Sequence, residues 1–165
     1  MKLFQDYKNK IDKTELSFEE IGNRLMKRSI KLVEGGKSFT EVNSGCNSTG
    51  LEYKKIAFII PYRNRLKNLK IFLNNMHEYF IRHNINYGIY LIEPLKDLKF
   101  NRGFLMNIGF LEALKDKVVN GSQPYWDCFI FHDVDMIPED ERLFYTCDPN
   151  YPVHYAVAVS KFKYR

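Results

Sequence analysis

Apolar positions change character along this chain. From Thr14 to Leu32 they recur at helical spacing, with Leu16, Ile21, Leu25, Ile30 and Leu32 on one side, which predicts a helix capped by Thr14. Gly35-Gly36 stops it, and the Ser-, Thr-, Asn- and Gly-rich stretch from Lys37 to Gly50 reads as loop. Beyond Lys55 the pattern tightens. Ile56-Ala57-Phe58-Ile59-Ile60 is a continuous apolar run ended by Pro61, as expected of a strand buried on both faces. Leu66, Leu69, Phe72, Leu73, Met76 and Phe80 then mark an amphipathic helix. A strand from Tyr87 to Ile92, a helix from about Arg102 to Lys115, a linker from Asp116 to Pro124 and a strand from Trp126 to Phe131 follow, and a fourth strand reads from Val153 to Val159.

Strand, helix, strand, helix, strand is the signature of an α/β fold with a mostly parallel, doubly wound sheet and helices on both faces. The expected division is a polar N-terminal segment with a helix and loop over residues 1–50 and an α/β domain over residues 51–165. At 165 residues one hydrophobic core is sustainable. The net charge of +5 is a modest solubility charge, and no dense Lys/Arg run interleaved with aromatics suggests nucleic acid. No stretch reaches the roughly 20 apolar residues of a membrane span. The N-terminus lacks the apolar region of a signal peptide, so a targeting segment, if the protein has one, is not visible here. Three cysteines, Cys46, Cys128 and Cys147, lack zinc-finger spacing. Sequons at Asn47 and Asn120 fall in turn-like stretches and hint at glycosylation in a secretory setting.

Open α/β sheets bind ligands beyond the carboxyl ends of their strands. The residues there are Tyr62-Arg63-Asn64-Arg65, Glu93-Pro94 and His132-Asp133-Val134-Asp135. In an extended segment Asp133 and Asp135 share one face while Val134 packs on the other. Hard divalent cations want oxygen ligands and often take only one or two from protein, the rest from phosphates and water. The same triplet also serves as solvated carboxylates that end a strand. Arg63 and Arg65 suit a bidentate phosphate contact or a solvated helix entry, and Arg102 lies near a helix start, where an anion is favoured. His132 adjoins the paired aspartates as a metal ligand or, in the preferred reading, as an orienting or packing group; Trp126 reads as core, and Glu139-Asp140-Glu141 as a solvated helix start. Cys128 and Cys147 bracket the acidic loop and would tie it down as a disulfide, worth about 2–4 kcal/mol; otherwise Cys128 is a buried thiol.

Three runs, Phe58 to Arg65 (FIIPYRNR), Phe100 to Phe110 (FNRGFLMNIGF) and Phe131 to Pro138 (FHDVDMIP), with Tyr87-Gly88-Ile89-Tyr90 between the first two, together resemble the animal β-1,4-galactosyltransferases from about Gly35 to Arg165. The resemblance implies a GT-A fold, a UDP-galactose or UDP-N-acetylgalactosamine donor, Mn²⁺, and inverting transfer to a glycan acceptor in the Golgi lumen, or by a secreted enzyme. It implies a metal-binding role for Asp135 and a sugar-nucleotide contact for Asp133 and Val134. It places Pro61, Tyr62, Arg63, Arg65, Phe100 and Arg102 at the UDP-binding positions and Lys161 near the diphosphate, and it pairs Cys128 with Cys147. Tyr62 stands where Phe is commoner, and Gly103-Phe104 where Ala-Lys is usual. The family's catalytic base, its remaining metal ligands and a partner for Cys46 are not found in these 165 residues, so the expectation is a donor-binding portion, inactive by itself. Two alternatives stand beside it: a non-catalytic form with residual UDP-sugar binding, and a nucleotidyltransferase using the same Asp-x-Asp clamp.

Overall fold

The computed structural model describes residues 16–17, 19–21, 54–116 and 124–164. Strand β1 (Lys55–Pro61) leads into helix α1 (Leu66–Arg82), strand β2 (Asn86–Ile92), helix α2 (Arg102–Ala113) and strand β3 (Cys128–Phe131), with a short 3₁₀ turn at Ser160–Phe162. The strands form one sheet in the order β2-β1-β3, and both pairings are parallel. Ile56 lies opposite Tyr87 on one side and Cys128 on the other.

Central position explains the sequence of β1. Ala57 through Ile60 have no measurable exposure, so both pleat faces must be apolar. Ile56, Phe58 and Ile60 point toward α1 and join Leu69, Phe72, Met76, Tyr79 and Phe80 in the main core. Ala57 points the other way, into a smaller cluster with Ala113 of α2 and Trp126. The helices therefore cover opposite faces, and the connections wind outward from β1 in both directions, leaving the switch point between β1 and β3.

Several expectations change at the ends of elements. The reciprocal bonds Ser17 N–H to Glu20 Oε2 (2.6 Å) and Glu20 N–H to Ser17 Oγ (3.1 Å) put a capping box at Ser17, where Thr14 had been expected. Leu16 and Ile21 flank that cap as a staple against Leu73 and Ile81 of α1. Trp126 and Asp127 fall outside β3; Trp126 is buried beside Ala57, and the Asp127 amide donates to the Lys55 carbonyl. The expected strand from Val153 to Val159 does not form: no ladder pairs it among the described residues, and Val153 and Val157 are exposed. Nor does Glu139-Asp140-Glu141 start a helix; Asp140 instead accepts from the Arg142 amide and guanidinium, which holds its carboxyl down at a pKa of about 2. The rest of the Thr14–Leu32 helix, the 37–50 loop, Cys46, Asn47 and Asn120 lie outside the described residues.

Candidate nucleotide and metal site

The turn between β1 and α1 forms because Asn64 takes a left-handed conformation (φ 52°), which asparagine tolerates better than most residues. Arg65 then stands at the N-cap of α1 and Arg63 two residues before it. On the neighbouring side of β1, β3 ends at Phe131 and the chain turns at once, with the Met136 amide bonding the Asp133 carbonyl at 3.2 Å. The acidic triplet therefore lies in a turn, and not in the extended segment expected. The outcome for its side chains is still alternate: Val134 is buried in the core while both carboxylates are partly exposed. Helix α2 supplies the third part. The Asn101 side chain caps it by accepting the Phe104 amide (3.0 Å), which fixes Arg102 as the first helical residue.

These three segments converge on one cleft of about 370 Å³, lined by Pro61, Arg63, Arg65, Phe100, Arg102, Asp133, Val134 and Asp135. Arg102 grips Asp133 with two bonds, Nε to Oδ1 at 2.8 Å and Nη2 to Oδ2 at 3.1 Å. Arg65 Nη1 pairs with Asp135 Oδ2. Their side chains keep 39–55% of their exposure, so each pair is worth at most about 1 kcal/mol. Pairs that weak contribute little to the fold and are readily redirected to a ligand. Arg63 turns its Nη2 to the carbonyls of Leu98 (2.5 Å) and Leu95 (3.4 Å), and its guanidinium lies 5.8 Å from the Phe100 ring centre. It thus ties the loop after β2 to the loop after β1.

Three expected positions do not reach the cleft. Tyr62 is 9% exposed and belongs to the main core, because it continues the even-numbered, α1-facing series Ile56, Phe58, Ile60. Lys161 is exposed in the 3₁₀ turn and is not among the lining residues. Glu93-Pro94 is also absent from the lining; that loop contributes Phe100 and two backbone carbonyls instead.

His132 is buried, 8% exposed, and packs its ring near Phe72 (5.3 Å) and Phe58 (6.2 Å). Desolvation lowers its pKa, so the ring is neutral. It takes the packing and orienting place expected of it. Behind the turn, Cys128 and Cys147 are disulfide-bonded, with Cα atoms 5.7 Å apart, closing a loop that contains the whole acidic triplet. Tyr145, which bonds His132, and the Leu95 and Leu98 carbonyls, which bond Arg63, were not foreseen; a backbone acceptor and a tyrosine 13 residues away leave no local signal in sequence.

A divalent cation fits the donor chemistry. Asp133 and Asp135 bring hard oxygen atoms to the cleft, and no group of three or more His, Cys, Asp or Glu side chains that could hold a metal occurs among the described residues. Hard divalent cations commonly take one or two carboxylates from protein and complete their shell with phosphate and water, and two carboxylates at the mouth of a cleft suit that pattern. No helix among the described residues is long and apolar enough to cross a membrane.

Residues 7–148 match the family profile for the N-terminal region of glycosyl transferase group 7. A β-N-acetyl-D-glucosaminide β-1,4-N-acetylglucosaminyl-transferase of Lymnaea stagnalis is 42% identical over 142 residues, 84% of this chain and 28% of that protein. Human β-1,4-galactosyltransferase 4 is 41% identical over 112 residues, 68% of this chain and 30% of the relative. This chain thus spans under a third of the length of either. A solved structure of a Drosophila β-1,4-galactosyltransferase 7 mutant, in complex with manganese, UDP-Gal and xylobiose, superposes with a TM-score of 0.49 at 26% identity, over 59% of this chain and 37% of that one.

Proposed function

We propose, because this chain belongs to glycosyl transferase group 7, that its cleft is the donor-binding part of a UDP-sugar-dependent hexosyltransferase, working by inversion with Mn²⁺ in a GT-A fold. The observation that carries this reading is the convergence of three arginines, two aspartates and an aromatic ring from three separate segments on one strand edge. Diphosphate needs cationic forks and a metal-binding carboxylate together, and base recognition needs an apolar wall. Here Arg65 and Arg102 are assigned to the diphosphate side, Asp135 to the metal, Asp133 to the sugar nucleotide, and Pro61 and Phe100 to the base. When bound, Mn²⁺ offsets the charge that develops on the leaving diphosphate. The chain's own arginines exchange aspartate for phosphate, and Val134 keeps the turn seated in the core. Galactose or N-acetylgalactosamine as donor sugar, a glycan as acceptor, and a secretory-pathway location such as the Golgi lumen complete the proposal. The Cys128–Cys147 disulfide agrees with an oxidising compartment.

Isothermal titration of the chain with UDP, with and without Mn²⁺, tests this. Wild-type UDP binding should require Mn²⁺ and exceed ATP binding. Asp135→Asn should abolish the metal-dependent part while raising metal-free UDP affinity slightly, since it also releases Arg65. UDP binding indifferent to both Mn²⁺ and Asp135→Asn would sink the assignment. Equal binding of ATP would favour a nucleotidyltransferase.

A further inference from the structure

The His132 ring has a partner at each nitrogen. Nδ1 lies 2.9 Å from the Asp133 carbonyl oxygen, and Nε2 lies 2.9 Å from the Tyr145 hydroxyl. A carbonyl oxygen can only accept, so the ring proton is on Nδ1. A neutral ring then presents Nε2 as an acceptor, and the Tyr145 O–H donates to it.

The same carbonyl is held twice. Asp133 O accepts from His132 Nδ1 and from the Met136 amide at 3.2 Å, so the turn bearing both carboxylates closes on an oxygen clamped from the core side. The clamp is well supported. Tyr145 is 6% exposed, meets the Phe58 ring edge-on at 5.3 Å and the Tyr155 ring at 5.3 Å, and sits two residues before disulfide-bonded Cys147. Neither ring reaches the cleft lining.

We infer that Tyr145 and His132 act in series as positioning residues for the Asp133–Asp135 turn: the tyrosine hydroxyl holds the ring in place through Nε2, and the Nδ1–H of that ring holds the Asp133 carbonyl. The inference rests on the donor-site reading only for what the turn binds. Its chemistry is a relay of hydrogen bonds from the disulfide-closed loop to the acidic turn, with no group transferred.

Tyr145→Phe tests it, because the ring packing stays and only the hydroxyl goes. Long-range ¹H–¹⁵N NMR of the ligand-free chain reads the tautomer, and hydrogen exchange reads the Met136 amide. Wild-type His132 should carry its proton on Nδ1. In Tyr145→Phe the carbonyl still calls for the proton on Nδ1, but the ring loses its anchor at Nε2, and Met136 exchange should speed up by about tenfold. Mn²⁺-dependent UDP affinity should fall by about tenfold as well. His132→Asn, whose amide can still donate near the Nδ1 position, should retain more of that affinity than His132→Gln, whose donor is displaced toward Nε2. A ring protonated on Nε2 in the wild type, or unchanged Met136 exchange in a folded Tyr145→Phe, would overturn the inference. If Tyr145→Phe does not fold, the Asn-against-Gln comparison at His132 decides through the same exchange rates. Wild-type chain that binds no Mn²⁺–UDP would fail the donor-site reading, while tautomer and exchange would still judge the relay.

Discussion

The two faces of β1 are packed in different ways. Toward α1, Ile56, Phe58 and Ile60 meet a thick layer of rings and long side chains, with Phe58 and Phe80 centred 4.4 Å apart. Toward α2, the strand offers Ala57 and Ile59, and the helix answers with Gly109 and Ala113. A Cβ built on Gly109 would lie 2.4 Å from Ile59 Cγ2 and 2.8 Å from Ile92 Cγ1, so the helix rests against the sheet with no room between. The first face supplies bulk apolar burial, which is the main stabilising term. The second sets the position of α2, and with it the reach of Arg102 to Asp133. One strand thus divides its work by residue parity, with bulk burial on one face and the seating of α2, which carries Arg102, on the other.

The sharpest way to break this division is at Phe58. Phe58→Ala should cost about 3–5 kcal/mol in urea denaturation, a large share of the stability of a chain this size. The milder Phe58→Leu should leave UDP affinity within about twofold. If Phe58→Leu weakens UDP as much as changes on the α2 face, the division is wrong.

Next in size is a pH effect confined to the α1 face. His77 is buried against Tyr87, with Nδ1 2.5 Å from its hydroxyl, and burial pushes the imidazole pKa from 6.5 down to about 4. The unfolded chain therefore binds more protons than the folded one between those values, and stability falls as pH drops from about 6.5 to 4. The loss should total about 3 kcal/mol, and His77→Gln should flatten it. Denaturation midpoints measured across that range check the slope.

Of these three, the smallest stability change comes with the largest effect on UDP binding. Gly109→Ala should destabilise by about 1–3 kcal/mol, because either Ile59 or the helix must move. It should also weaken UDP binding several-fold in protein that remains folded. Adding Ile59→Ala makes room for the new methyl, so the double variant should lose less than the sum of the two single losses.

Much of this was legible in sequence, for identifiable reasons. The β1 run and the α1 stripe are strong because their periods are unmixed, and both lie within two residues of where they were expected. Arg63, Arg65, Arg102, Asp133 and Asp135 line one cleft as expected of residues that follow strand ends or open a helix, where a parallel sheet collects its ligands. Tyr62 was misplaced because parity continues past a proline that looks like a stop. The Val153–Val159 strand failed because β-branched residues suggest a strand without naming a partner, and none pairs there among the described residues. The Ile59–Gly109 contact and the Tyr145–His132 bond join residues far apart in sequence, so no local pattern could reveal them.

The sheet order carries a further consequence, in time rather than in space. β1 is the first of the three strands to leave the ribosome, yet it is the one that must be flanked on both edges. Its second edge waits for Asp127, 72 residues beyond Lys55, whose carboxylate accepts the Lys55 amide at 2.8 Å. At about 5–20 residues per second, an apolar strand of Ile56-Ala57-Phe58-Ile59-Ile60 stays open-edged for several seconds of synthesis. Such a segment is an aggregation hazard until it is covered. Lysines at 54 and 55 stand immediately before it, and charges beside an apolar strand are what keep nascent chains apart during that interval.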